Sequence, residues 1–277
     1  MAGCETLFSK AFILRVYASI GSWLPLLKDF LPSLVVLEEK AVELYHFSLL
    51  EKPVSSHRAQ DVILGIAKGG KTFQALHDHL LAQGFQRKNR KLVGTPNSPA
   101  YFRGDLGTLQ FICPQIKPNQ KPTAQGLCAI PDRRVSLLLE NPYAVAVPYL
   151  GKDYEVWIPQ AGRFILDKGL RLSTGRGLDG ERIYESSRDL LLMLDLLVSN
   201  EELKEEVVND LHEIRPPSLV KEFIENLKQN GPGSVIWDST QKLYLERYPG
   251  SKIVTLTSWY WKFIPYITRS LEEARQN

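Results

Sequence analysis

The chain has 277 residues, 44% hydrophobic and 23% charged, the makeup of an ordinary globular protein long enough to bury a real core. Its net charge of +3 is too small to drive non-specific nucleic-acid binding, and its three cysteines, Cys4, Cys113 and Cys128, have no close pair and no metal-ligand spacing. This excludes a disulfide scaffold and points to a reducing compartment, the cytoplasm, with Cys113 as a buried strand residue.

Phe12 to Ile20 is apolar, but Arg15 interrupts it, Lys28-Asp29 closes it and no small-residue cleavage site follows. No stretch reaches the roughly 18 to 20 apolar residues of a membrane span, so no membrane association is expected. Residues 5–30 read as an amphipathic helix or helix pair packed on the domain. Leu34-Val35-Val36-Leu37 has a strand's composition and leads through Glu38-Glu39-Lys40 into the helix-like Ala41-Val42-Glu43-Leu44-Tyr45. After the turn-like Lys52-Pro53-Val54-Ser55-Ser56, His57 to Asp61 leads into a second apolar run, Val62 to Ala67.

Lys71 to Gln83 carries Phe73, Leu76, Leu80 and Leu81 at helical spacing, with Gly84 placed as C-cap. His77 and His79 on that helix point about 200° apart and cannot share one ion, so both are expected on a solvated face. Arg87-Lys88-Asn89-Arg90-Lys91 is the densest positive run, fit either for a solvated hairpin rim or for contact with nucleic acid or polyphosphate. Ala100–Arg103 and Thr108–Cys113 read as a hairpin around Gly104–Gly107, and Ala144–Leu150 with Tyr154–Ile158 as another. Residues 114–134, rich in Pro, Lys and Gln, read as an exposed loop.

From Pro159 the texture turns helical. Gln160 to Leu170 begins a helix, residues 169–180 form a glycine-containing connection, and Leu190–Val198 is dense enough in leucine for a buried helix. Asn200-Glu201-Glu202 caps the next, and Pro216-Pro217-Ser218 starts one that ends near Gly231-Pro232-Gly233. The tail holds Trp259, Tyr260, Trp261, Phe263, Tyr266 and Ile267, which read as core-packing aromatic and apolar residues or as a stacking platform.

Strand, helix, then a strand opened by Asp61 resembles the core of the nucleotidyltransferase superfamily. There a Gly-Gly or Gly-Ser turn follows the first strand, the next carries Asp-x-Asp, and a later strand adds a third aspartate in a run like Val-Asp-Leu-Leu-x-Pro. Here Glu38-Glu39 stand at the glycine turn, Asp61 at the first aspartate, Ile63 at the second, and Gln110, in Leu109-Gln110-Phe111-Ile112-Cys113-Pro114, at the third. Ile158-Pro159, Arg163-Phe164, Asp167-Lys168 and Arg188-Asp189-Leu190 also follow, in order, the motifs of a bacterial branch of putative nucleotidyltransferases, with Asp167 where that branch has histidine. The similarity spans roughly residues 34–198.

The resemblance implies an α/β (α+β) fold: a nucleotidyltransferase-like domain at 1–158, with a short mixed sheet flanked by helices, and a helical C-terminal part at 159–277. It implies a nucleotide lying between the first two core strands and the start of the helical part, with Lys40, Arg58 and Asp61 on one wall and Arg163 and Lys168 opposite. Arg58 has the planar guanidinium suited to phosphate. Lys168 and Arg188 are fit either for nucleotide contact or for ion pairs with Asp167 or Asp189.

Nucleotidyl transfer needs two or three carboxylates on magnesium, and isoleucine cannot ligate a metal. Two glutamates also add charge and bulk where glycine lets amides approach phosphate. The leading expectation is therefore a catalytically degenerate protein that binds a nucleotide, a nucleic acid or a protein partner. The alternative is an active metal-dependent enzyme moving a nucleoside monophosphate from an NTP to a hydroxyl. It would use magnesium held by three acids among Glu38, Glu39, Asp61 and Asp105. Relatives of this type are encoded beside toxin, antitoxin or phage-defence partners, which implies a protein partner encoded nearby.

Overall fold

The computed structural model describes residues 20–50, 61–67, 70–90, 98–115, 127–172, 188–190, 192–194, 196–197, 200–234, 237–238, 241 and 253–273. The chain divides into two compact units, Met1–Pro159 and Gln160–Asn277.

Among the described residues, the first unit is built on a mixed sheet of eight strands. They are β1 (Leu34–Val36), β2 (Asp61–Ile66), β3 (Gln86–Arg90), β4 (Ser98–Arg103), β5 (Gly107–Pro114), β6 (Ala129–Asp132), β7 (Tyr143–Tyr149) and β8 (Lys152–Ile158). Their order is β3-β4-β5-β2-β1-β8-β7, with β6 also paired to β5. β1 is apolar throughout and buried at every residue, as suits a strand with a neighbour on each edge. It runs antiparallel to β2 and parallel to β8, whereas β2 runs parallel to β5.

Helices α1 (Leu24–Leu27), α2 (Glu38–Leu50), α3 (Gly70–Ala82) and α4 (Val135–Leu138) accompany this sheet. α3 lies where its leucine spacing places it, burying Leu76 and Leu80, and Gly84 follows it in the left-handed conformation at φ 82°. α2 buries Ala41 to His46 in an unbroken run, and the Tyr45 hydroxyl donates to the Pro159 carbonyl. The segment 5–30 is described only from Ile20, where Trp23, Leu24 and Leu27 are buried and Trp23 stacks on Phe85 at 5.5 Å.

Two expectations need correction. The 114–134 stretch is not all exposed loop: Leu127 and Cys128 are buried, and Ala129–Asp132 pairs in parallel with β5. β4 pairs with β5 from Gly107 to Leu109, and β6 takes over from Phe111, so an unpatterned segment becomes a strand because a vacated edge needs partners. The histidines of α3 do not sit on a solvated face either. His77 is buried against the Tyr101 hydroxyl at 2.7 Å, and His79 meets the Leu26 carbonyl at 2.7 Å. Each imidazole joins α3 to a neighbouring element.

The second unit is helical. α5 (Ala161–Leu172) is buried at every residue from 161 to 170 and packs against α6 (Glu201–Glu213) and α7 (Ser218–Asn230). The described residues between 188 and 197 are helical and buried. Asn200 caps α6 by accepting from the Leu203 amide at 2.9 Å. α8 (Ile253–Glu273) contains Pro265 and packs on α6 and α7; it buries Phe263, Ile264 and Ile267 while leaving Trp261 exposed.

Candidate functional site

The parallel pairing of β2 with β5 decides which residues share a face. Asp61 lies opposite Thr108, Ile63 opposite Gln110, and Gly65 opposite Ile112. With a period of two along each strand, all six belong to one face of the sheet. The register of β1 adds Val35, opposite Gly65, and the Leu37 amide donates to the Ile63 carbonyl at 2.9 Å. That bond extends the pairing to the start of α2, so Glu38 and Glu39 begin at the same end of the sheet as Asp61. Glu38 is left-handed at φ 56°, a conformation that costs an L-residue about 1–2 kcal/mol and costs glycine almost nothing.

The polar end of this face is sparsely equipped. Asp61 is half-buried, Thr108 is buried, and Gln110 is buried with its Nε2 lacking a hydrogen-bond partner among the described residues. The inner half is closed by apolar side chains: Val35, Leu37, Ile63, Ile112 and Trp157 pack with Val135, Leu138 and Leu139 around α4. A four-residue helix has no stability of its own. Burial of Val135 and Leu138, about 1.5–3 kcal/mol each, holds it here. Gly65 permits the approach, because a Cβ there would lie 2.5 Å from Leu139 Cδ2.

A magnesium ion of the kind the superfamily uses does not fit these residues. Ile63 has no donor atom, and Gln110 offers a neutral amide in place of a carboxylate. Among the described residues no group of three His, Cys, Asp or Glu side chains could hold a metal, so Glu38, Glu39, Asp61 and Asp105 do not converge as three shared ligands. Asp105 sits in the β4–β5 turn, gripped by Arg103 at 2.7 and 2.9 Å, and that guanidinium holds its carboxyl below the usual range.

The expected cations are placed as follows. Lys40 is buried, its Nζ 3.1 Å from the equally buried Glu43 carboxylate one turn along α2. Arg58 lies outside the described residues. In the second unit, Arg163 is buried and its Nε donates to Gln160 Oε1 at 2.8 Å. Lys168 is buried 2.9 Å from Asp189, with Phe164 beneath its ammonium at 5.0 Å. Arg188 donates to the other oxygen of Asp189 at 2.6 and 3.2 Å, and Asp167 is paired with Arg171 at 2.7 Å. Lys168 and Arg188 thus both make the ion pair that was one of their two readings.

A cation that sequence reasoning left inside a basic run is Lys88. It lies opposite Ala100 on β4, whose next same-face residue, Phe102, lies opposite Thr108, so Lys88 shares the face of Gln110. Its ammonium rests 4.4 Å from the Phe102 ring centroid. Strand alternation across residues 86–90 was the signal that could have found it.

No protein-family model matches the chain, and no curated protein matches it in sequence. Among solved structures, the chain is similar to an antigenic nucleotidyltransferase-like protein from Paracoccidioides brasiliensis. The likeness has 16% sequence identity and a TM-score of 0.39, and it covers 76% of this chain and 92% of that one. At that level of superposition, the functional reading rests on the residues of this chain alone.

Proposed function

We propose that this is a nucleotidyltransferase-like protein, related to the bacterial branch, that has lost transfer chemistry and uses the outer end of the β2–β5 face to bind a nucleotide, nucleic acid or protein partner. The observation that carries the reading is the register: the three positions expected to hold acids, Asp61, Ile63 and Gln110, share one face, and Ile63 lies directly opposite Gln110. On this reading the face carries one carboxylate, Asp61, at the three positions where the resemblance implies acids. A nucleotide ligand is the first to test, with Lys88 as a cation on the same face and no metal required. The cytoplasm suits a chain whose Cys113 and Cys128 are both buried and form no disulfide among the described residues.

Calorimetric titration with each NTP, in magnesium and in EDTA, tests the nucleotide form of the proposal. Binding is expected in both buffers, and Arg58→Ala is expected to weaken it at least tenfold, about 1.4 kcal/mol. Robust radiolabel transfer from an NTP that disappears in Asp61→Ala would overturn the loss of chemistry. An absence of NTP binding in both buffers removes the nucleotide and leaves a nucleic acid or protein as the partner to test.

A further inference from the structure

A groove of about 580 Å³ lies wholly within the helical unit, between the α6–α7 connection and α8. Its floor is apolar: Leu211, Ile214 and Val220 are buried beneath it, with Ile224 half-buried alongside. The volume falls within the usual range for small-molecule sites, which combine an apolar lining with a few placed polar groups.

The charged lining carries both signs: the acids are Glu225 on α7 and the solvent-exposed Glu272 on the last turn of α8, and the cations are gathered at the start of α7. Arg215 and Lys221 stand where the connection meets the N-terminal turn of the helix, whose dipole is positive there. Arg215 Nη1 donates to the carbonyls of His212 at 2.6 Å and Ile214 at 3.0 Å. These bonds anchor the guanidinium at the lip. Its Nε and Nη2, and the exposed Lys221 ammonium, have no side-chain partner among the described residues. One turn further on, Glu225 pairs with Lys228 at 3.5 Å, so its charge is partly answered within α7.

We propose that this groove binds a small amphipathic carboxylate, its head on Arg215 and Lys221 and its apolar body over Leu211, Val220 and Ile224. A carboxylate matches the planar guanidinium fork and gains from the helix terminus, while an apolar body displaces water from the floor. The inference is independent of the β2–β5 face, so neither stands or falls with the other.

The test uses the full chain with decanoate as probe and decanol as its uncharged counterpart. Affinity is read by calorimetry, and the position is read from isoleucine methyl shifts. Decanoate is expected to bind at least tenfold tighter than decanol and to shift Ile214 and Ile224. Arg215→Met, which keeps an apolar stem, is expected to weaken decanoate at least tenfold and leave decanol unchanged. Lys221→Met is exposed and cannot disturb the core, and it should weaken decanoate in the same direction. Equal binding of the two probes, unchanged decanoate affinity in both variants, or shifts that miss the groove would each overturn the proposal. So would an absence of decanoate binding at millimolar concentration.

Discussion

Asp210 on α6 carries a carboxyl that folding makes harder to ionise. Burial pushes its pKa from 3.8 up to about 6, opposed by the hydrogen bond from the Gly162 amide and by nearby Arg163. The folded state therefore holds this proton to higher pH than the unfolded chain. Stability from this group is fullest below pH 4, is lost as pH rises through about 6, and is flat above. Moving a carboxyl from 3.8 to about 6 corresponds to about 3 kcal/mol, and residual solvent contact reduces the usable part to about 1–2 kcal/mol. Asp210→Asn removes the charge and keeps an oxygen for the Gly162 amide, which the carboxylate accepts at 2.8 Å. The variant should be about 1–2 kcal/mol more stable than the parent in urea at pH 7.5, and the gap should narrow as pH falls from 6 towards 4. A variant less stable at pH 7.5 would refute the reasoning. It would mean that the α5 N-terminus and Arg163 stabilise the charged form more than burial penalises it.

Two further outcomes follow from local geometry. Leu150 and Gly151 form the tip between β7 and β8 with φ 49° and 74°, a turn that asks for Asn-Gly, and Leu150 is 81% exposed. Leu150→Asn should stabilise the chain by about 1 kcal/mol in urea unfolding, and a loss would refute the turn assignment. Tyr101 meets His77 at 2.7 Å and accepts from the Cys128 amide at 3.1 Å, and burial pushes its pKa up to about 12. Tyr101→Phe strands two buried polar groups and should cost about 2–3 kcal/mol, whereas a neutral result would mean that water or a rearrangement satisfies both.

The parts of the fold set by local chemistry were legible in the sequence. The leucine spacing of α3, Asn200 before α6 and the Pro-Pro-Ser start of α7 all announce themselves within a few residues. β6 did not, because Ala129-Ile130-Pro131-Asp132 is a strand only by virtue of the β5 edge it occupies. His77 looked solvated because nothing near it in sequence reveals Tyr101, which lies 24 residues on. Within the candidate site, the order of Asp61, Ile63 and Gln110 was readable, but their shared face depends on a parallel register that no single segment encodes. The left-handed Glu38 and the Phe102 ring beneath Lys88 are likewise tertiary facts.

β1 is the first strand among the described residues, yet it lies inside the sheet, flanked by β2 and by β8, with Val35 opposite Trp157. On the ribosome this strand must wait for almost the whole first unit to be made before its second edge is covered. Pairings of such sequence separation close slowly, because the loop entropy is lost before the contact forms. A chain cut at Asn141, before β7 and β8, would leave an apolar strand with one bare edge, the kind of surface that recruits other chains. The hairpin of β7 and β8 therefore also acts as the lock on β1.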